Sequence, residues 1–146
     1  MTDDTQSGQP GGNRFSLTFT AKPEHIDANG HVNNAVWLQW AQDLSTGHWM
    51  KVARAEDIAR FVWFVTRHEI DYRGNVEEGA RVIGTTFIPN PPRGARFDRR
   101  VDFMVEGSDT PIVSLTSTWA MIEKESGRLA RVRREIAAPF EPFGGE

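Results

Sequence analysis

The sequence predicts an α+β fold: a curved antiparallel β-sheet wrapped around one long central α-helix. Three observations carry this. One long amphipathic helical pattern occurs, over 34–52. Four segments after it, joined by turn-rich connections, read as strands. The order of strand, long helix and then strand after strand is not the βαβα alternation of a doubly wound sheet. The 146 residues suit one domain with a real core.

Residues 1–13 are polar, carry Gly and Pro and show no apolar period, so a disordered tail is expected there. From Arg14 the pattern changes. Phe15, Leu17, Phe19 and Ala21 alternate with Ser16, Thr18 and Thr20, the mark of a strand with one buried face. Pro23 ends it, because proline cannot donate to a sheet ladder. Residues 24–33 are a polar loop in which Asn29-Gly30 permits a positive φ. Asn33 stands as N-cap of a helix that starts at Asn33 or Asn34 and runs to about Val52. Trp37, Trp40, Ala41, Leu44 and His48 fall on one face of it. Gly47 costs the helix about 1 kcal/mol against alanine, and its missing side chain invites close packing.

A short helical turn is expected over 55–59. Strands are expected over 61–73, 81–88, 95–105 and 112–122. The third alternates through Phe97, Arg99, Val101, Phe103 and Val105. The fourth sets Val113, Leu115, Trp119 and Met121 against Ser114, Thr116, Thr118 and Ala120. Pro89, Pro91, Pro92 and Gly94 punctuate the second connection, and 107–111 and 125–127 form later turns. Residues 129–136 are a short last element, and 137–146 read as a loose end. The domain is placed at 14–140, with a C-terminal tail at 141–146. The long strand 61–73 leaves an edge exposed, and an edge-to-edge homodimer, itself able to pair into a dimer of dimers, is the simple way to cover it.

Composition narrows the function classes. Lys plus Arg number 17 and Asp plus Glu 20, a formal net charge of −3. That gives no support for a protein that tracks nucleic-acid phosphates. With no cysteine, disulfides, thiolate nucleophiles and Cys-type zinc or iron–sulfur sites are ruled out. No stretch approaches the roughly 18 apolar residues of a membrane span. The N-terminus has no basic start followed by an apolar run. A cytoplasmic protein is expected, with no nucleic-acid or membrane partner and no metal or other cofactor.

The densest polar cluster lies just before the long helix, from Asp27 to Trp37. A helix start offers unpaired backbone N–H groups and a partial positive charge, which can hold an anion or stabilise an oxyanion. Asp27 could serve there as a base or nucleophile, and Gly30 leaves room for a carbonyl substrate to approach. Spacing alone fits Asp27 as a turn residue equally well, and it favours plainer roles for the others: His31 as a structural histidine, Asn33 and Asn34 as caps. A zinc site built from His25, Asp27 and His31 matches no strong motif.

Asp27-x-x-Gly30-His31-Val32 with Trp37 and Trp40, and the segments 68–72 and 118–122, carry a likeness: residues 14–140 resemble the hotdog-fold acyl-CoA thioesterases, in particular the 4-hydroxybenzoyl-CoA thioesterase-like family. The family segment Asp-x-x-Gly-His-Val-x-x-x-x-Tyr-x-x-Trp is met by Asp27, Gly30, His31, Val32 and Trp40, with Trp37 in place of Tyr. Asp27-x-Asn29-x-His31-Val32-Asn33-Asn34 also looks like the plant acyl-carrier-protein thioesterase version. His68-Glu69-Ile70-Asp71-Tyr72 resembles the strand after the helix. Glu78-Gly79 stands where the family has a Gly-Asp or similar pair. Thr118-Trp119-Ala120-Met121-Ile122 with Gly127-Arg128 resembles the last long strand and its turn.

The resemblance implies a hotdog fold and hydrolysis of an acyl-CoA thioester to free acid and CoA, with acyl carrier protein as the alternative thiol carrier. It puts the catalytic carboxylate on Asp27, as nucleophile or as base for water. It puts the oxyanion donor on the Asn34 backbone N–H, and orienting roles on Asn29 and His31. His25 stands where relatives often carry an acid. CoA phosphates call for arginines. Arg93, Arg96, Arg99 and Arg100 are the chosen group, and Arg128, Arg131, Arg133 and Arg134 form another. Trp37, Trp40, Phe61, Trp63 and Phe64 are candidates to line an acyl tunnel. Two other functions stand against hydrolysis. One is acyl-thioester binding without catalysis. The other is hydration or dehydration, whose Asp-x-Asn-Pro-x-His pattern is a residue longer than Asp27-x-Asn29-x-His31 and contains a proline absent here.

Overall fold

Asn33 caps the long helix as its spacing predicts. Its Oδ1 accepts the Ala35 N–H at 2.9 Å, and helix α1 runs Asn34–Val52. The computed structural model describes residues 3–7 and 12–144. Strands β1 (Asp3–Ser7) and β2 (Arg14–Thr20) precede α1. Helix α2 (Ala55–Arg60) and strands β3 (Phe61–Tyr72), β4 (Arg81–Phe87), β5 (Arg96–Val105) and β6 (Val113–Glu123) follow it. A last helical turn, α3, spans Arg134–Ala137. The sheet order is β1-β2-β4-β5-β6-β3, and every neighbouring pair is antiparallel. No helix among the described residues is long and apolar enough to cross a membrane.

The buried face of α1 is the predicted one, Trp37, Trp40, Ala41, Leu44 and His48, with Ser45 beside them. It packs on Phe19, Val82, Val101, Phe103, Val113 and Leu115 of the sheet. Each fully buried large aliphatic or aromatic side chain is worth about 1.5–3 kcal/mol. Two glycines let helix and sheet approach. A Cβ on Gly47 would stand 2.9 Å from Phe15 Cε2, and one on Gly84 would stand 2.8 Å from Phe103 Cε1 and 3.1 Å from Leu44 Cδ2.

Two segments differ from expectation. Within the expected N-terminal tail, residues 3–7 pair with β2, with a register shift between Asp3 and Gln6. An otherwise open β2 edge offers unpaired backbone groups, and any extended segment can satisfy them whatever its side chains. The rest of the tail, residues 1–2 and 8–11, lies outside the described residues. The expected loose end at 137–146 is docked as far as 144. Ala137 and Phe140 are buried, Phe140 stacks on Trp49 with ring centroids 5.9 Å apart, and the Gly144 N–H donates to the Ile88 carbonyl at 2.9 Å.

Candidate active site

Residues 25–33 form a miniature hairpin that delivers the chain into α1. The Asn33 N–H donates to the His25 carbonyl at 2.9 Å, Ile26 bridges Val32, and the Asp27 N–H donates to the His31 carbonyl at 2.8 Å. Gly30 takes the positive φ its Asn-Gly context predicts, +83°, which closes the turn. The loop before β4 holds this hairpin: Val32 N–H donates to the Val76 carbonyl at 3.2 Å, and Asn75 Nδ2 to the Val32 carbonyl at 3.0 Å.

Within the turn, Asp27 Oδ1 accepts the Asn29 N–H at 2.9 Å and the His31 N–H at 3.3 Å. This is an Asx-type turn. Oδ2 carries no hydrogen bond among the described residues. Asp27 is half-buried, while Asn29, Gly30, His31 and Asn34 are exposed. At the helix start, Ala35 N–H is taken by the cap side chain and Val36 N–H by the Asn33 carbonyl at 2.9 Å. The Asn34 N–H has no hydrogen-bond acceptor among the described residues. Asp27 lies two residue steps, about 7 Å, along the hairpin from the His25–Asn33 pair that feeds the helix. A carboxylate oxygen and a backbone donor are thus both unoccupied on the same short motif.

Two sequence departures prove to be packing features. Trp37 is buried in the core, edge-on to Trp40 and Phe103, and its Nε1 lacks a partner among the described residues. His25 is engaged by the backbone and the core. Its Nδ1 accepts the Lys22 N–H at 3.0 Å, and its ring meets Trp40 edge-on. Burial pushes its pKa below the usual imidazole value, so the ring next to the motif is neutral.

The arginine group 93–100 does not form one patch. Arg93 is paired with Asp98, with two N–O distances of 3.2 Å. Arg100 reaches Asp102 at 3.1 Å. Arg96 is exposed at the start of β5. Arg99 departs most from the expected rim position: its side chain is 2% exposed and lies in the core. Its Nη1 donates to His48 Nδ1 at 2.8 Å and to Thr86 Oγ1 at 3.0 Å. Strand parity explains this, since Arg99 shares the inward set of β5 with Phe97, Val101 and Phe103. The second arginine group is the one that converges. Arg128, Arg131 and Arg133 join Arg54 and Arg60 around a cleft of about 710 Å³.

A neighbouring cleft of about 360 Å³ runs between α1 and the start of β3. Thr46, Trp49, Met50, Phe61 and Trp63 line it, with Arg99. Of the expected tunnel residues, Phe61 and Trp63 therefore face a cavity, while Trp37 and Trp40 are core. The far end of β3 returns to the start of α1, where Tyr72 Oη lies 3.5 Å from the Asn34 carbonyl.

The sequence profile of the thioesterase-like superfamily matches residues 21–140, and the chain belongs to that family. Among solved structures it is similar to a hypothetical protein from Staphylococcus aureus in complex with CoA. That likeness has a TM-score of 0.75 and 17% identity, over 86% of this chain and 80% of that one. It is also similar to a 1,4-dihydroxy-2-naphthoyl-CoA thioesterase from Synechocystis, with a TM-score of 0.74 and 14% identity, over 87% and 95% of the two chains. An acyl-ACP thioesterase from Bacteroides thetaiotaomicron aligns with a TM-score of 0.72 and 19% identity, over 81% of this chain and 49% of that one. These likenesses define a hotdog fold, α+β with its antiparallel sheet on the long helix, as expected. No curated protein sequence matches the chain.

Proposed function

We propose that this chain hydrolyses acyl-CoA thioesters, with Asp27 as the essential carboxylate and the start of α1 as the oxyanion site. The observation that carries this is the pairing of two unoccupied groups, Asp27 Oδ2 and the Asn34 N–H, on the motif 25–34. A thioester needs little more. Asp27 takes a proton from water as the oxygen adds to the thioester carbon. The carbonyl oxygen gains charge, which the Asn34 N–H and the helix dipole stabilise. The C–S bond then breaks and the thiolate leaves, taking up the proton. Gly30 keeps the approach open, and Asn29 and His31 flank it. Family membership supports the reading, as does the CoA named with one similar structure.

The functional unit in this reading is a homodimer. β3 is an edge strand of 12 residues, and Val62, Phe64 and Tyr72 on it are 44%, 49% and 41% exposed. Antiparallel pairing of two β3 edges would bring the Tyr72 end of one copy, with its helix start, beside the Phe61 end and cleft of the other. The phosphates of CoA then fall to the exposed arginines, Arg93 and Arg96 at one turn or the Arg128–Arg133 group at the other.

The test is thiol release from acyl-CoAs of graded length, run on wild type, Asp27→Asn and Asp27→Ala. The cysteine-free chain gives no background. Wild-type turnover with a loss of about 100-fold or more in both variants is expected. Wild-type rates in Asp27→Asn would overturn the mechanism. The Asp27 bonds to two backbone N–H groups favour one second reading, thioester binding without hydrolysis; it predicts acyl-CoA binding with no thiol release.

A further inference from the structure

Arg99 is a cation in the core with no anion beside it among the described residues. Among the described residues its hydrogen bonds are those of Nη1 to His48 and Thr86. Nε is buried with no partner, and Nη2 makes no hydrogen bond among the described residues. No carboxylate lies within 4.0 Å of it among the described residues. The adjacent acids are committed elsewhere: Asp98 to Arg93 and Thr118, Asp102 to Arg100 and Ser114. His48 supplies a lone pair but no negative charge. The Phe97 ring, 5.4 Å from the guanidinium, offers a cation–π contact, which is weak beside the cost of an unpaired buried charge. Burial lowers the Arg99 pKa to about 9, so it stays charged at neutral pH. Such a group is strongly disfavoured unless something pairs with it.

Arg99 also lines the cleft between α1 and β3. Trp49, Met50, Phe61, Val62 and Trp63 give the lining its apolar part, and its other cation, Lys124, donates to the Ile58 carbonyl at 3.2 Å. A cleft of about 360 Å³ is of the size that holds a small organic ligand. We propose that this cleft binds a carboxylate on an apolar body, the carboxylate on Arg99 and the body against Trp49, Trp63 and Met50. A guanidinium N–H makes a strong, charge-assisted hydrogen bond to a carboxylate, and here Nη2 is the donor left over that is not buried away from the cleft. Two sources carry this chemistry: a free acid with an apolar chain, and an acyl thioester whose far end is a carboxylate. Neither requires that Asp27 be catalytic, so the inference stands or falls apart from hydrolysis.

Calorimetric titration of the full chain with decanoate and decanol tests the first source. Wild type should bind decanoate at least about tenfold more tightly than decanol. Arg99→Gln should bind the two alike, and Arg99→Lys should recover part of the preference. Titration of Asp27→Asn with sebacoyl-CoA and decanoyl-CoA tests the second source, with the same tenfold preference expected for the carboxylated chain and its loss in Asp27→Asn/Arg99→Gln. A preference in either pair that depends on Arg99 supports the proposal and names the source. No preference in either pair, or one that survives Arg99→Gln, overturns it. If Arg99→Gln does not fold, Met50→Glu decides. Met50 is 57% exposed at the cleft, and a carboxylate there should weaken binding of the charged ligand about tenfold more than that of its uncharged match. Equal weakening of both would overturn the proposal.

Discussion

His48 Nδ1 accepts a hydrogen bond from Arg99 Nη1 at 2.8 Å, while its Nε2 meets the Gly12 carbonyl at 2.6 Å. A guanidinium only donates, so Nδ1 is the bare nitrogen and Nε2 carries the proton. One imidazole therefore ties α1 to β5 and to the segment before β2. Burial and the neighbouring Arg99 charge push its pKa to about 3.

That depression sets a pH dependence of stability. In the unfolded chain an imidazole takes up a proton as pH falls through about 6.5, whereas folded His48 resists until about 3. Between these values the unfolded state binds more protons, so stability rises with pH across the window and is lost on acidification. The slope from this one group is up to about 1.4 kcal/mol per pH unit. His25 and His68 are shifted in the same direction by burial. Denaturant unfolding at pH 7, 5.5 and 4.5 should show a steadily falling midpoint. His48→Gln should flatten that fall while leaving the share of the other two histidines. An unchanged slope would mean that His48 titrates normally in the folded chain.

Gly84 of β4 sits directly under Leu44 of α1 and beside Phe103 of β5. A methyl group there would stand 2.8 Å from Phe103 Cε1 and 3.1 Å from Leu44 Cδ2, and both side chains are fully buried. Gly84→Ala should cost about 1–3 kcal/mol through overpacking. In a chain of this length that lowers the melting temperature by about 3–10 °C. Scanning calorimetry checks it, and an equal or higher melting temperature would show that Phe103 has room to move.

Much of this was legible in the sequence because the signals are local. Asn33, the period of Trp37, Trp40, Leu44 and His48, and Asn29-Gly30 mark the helix, its cap and the turn before it. Arg99 was legible in part. Its parity with Phe97, Val101 and Phe103 placed it on an inward face, but arginine count and loop proximity suggested a rim. Parity prevailed, because slipping one residue to the other face would turn the whole strand inside out. β1 and the segment around Phe140 were not legible. Their placement rests on backbone pairing and on docking against Trp49, and neither leaves a period in sequence. The Asp27 motif sat between these cases: the residues named the turn, while the unoccupied Oδ2 and Asn34 N–H needed coordinates.

Asp27 has a structural task that separates its two replacements. Oδ1 satisfies the Asn29 and His31 N–H groups. Asparagine keeps that oxygen and alanine removes it. The turn is partly open to water, which can replace the lost acceptor, so Asp27→Ala should cost about 0.5–1 kcal/mol. Asp27→Asn should cost less. Urea unfolding gives both numbers. A thioesterase rate lost equally in both variants, set against unequal stabilities, would assign the loss to chemistry rather than to a loosened hairpin.

The β3 edge supplies the last prediction. A strand of 12 residues with no neighbouring strand along one side among the described residues is long for a free edge. Its exposed Val62 and Phe64 suit contact with a second copy rather than with water. Antiparallel pairing makes such an interface self-complementary, so one substitution acts twice. Phe64→Lys would replace an apolar aromatic contact by a charge at two symmetric positions along the seam. In sedimentation velocity, wild type should run as a dimer or larger, and Phe64→Lys should shift toward the monomer with its circular dichroism unchanged. Activity should fall with the dimer fraction and return at high protein concentration, because the cleft of one copy then lacks the helix start of the other. A wild-type monomer with full turnover would break the link between the edge and the site.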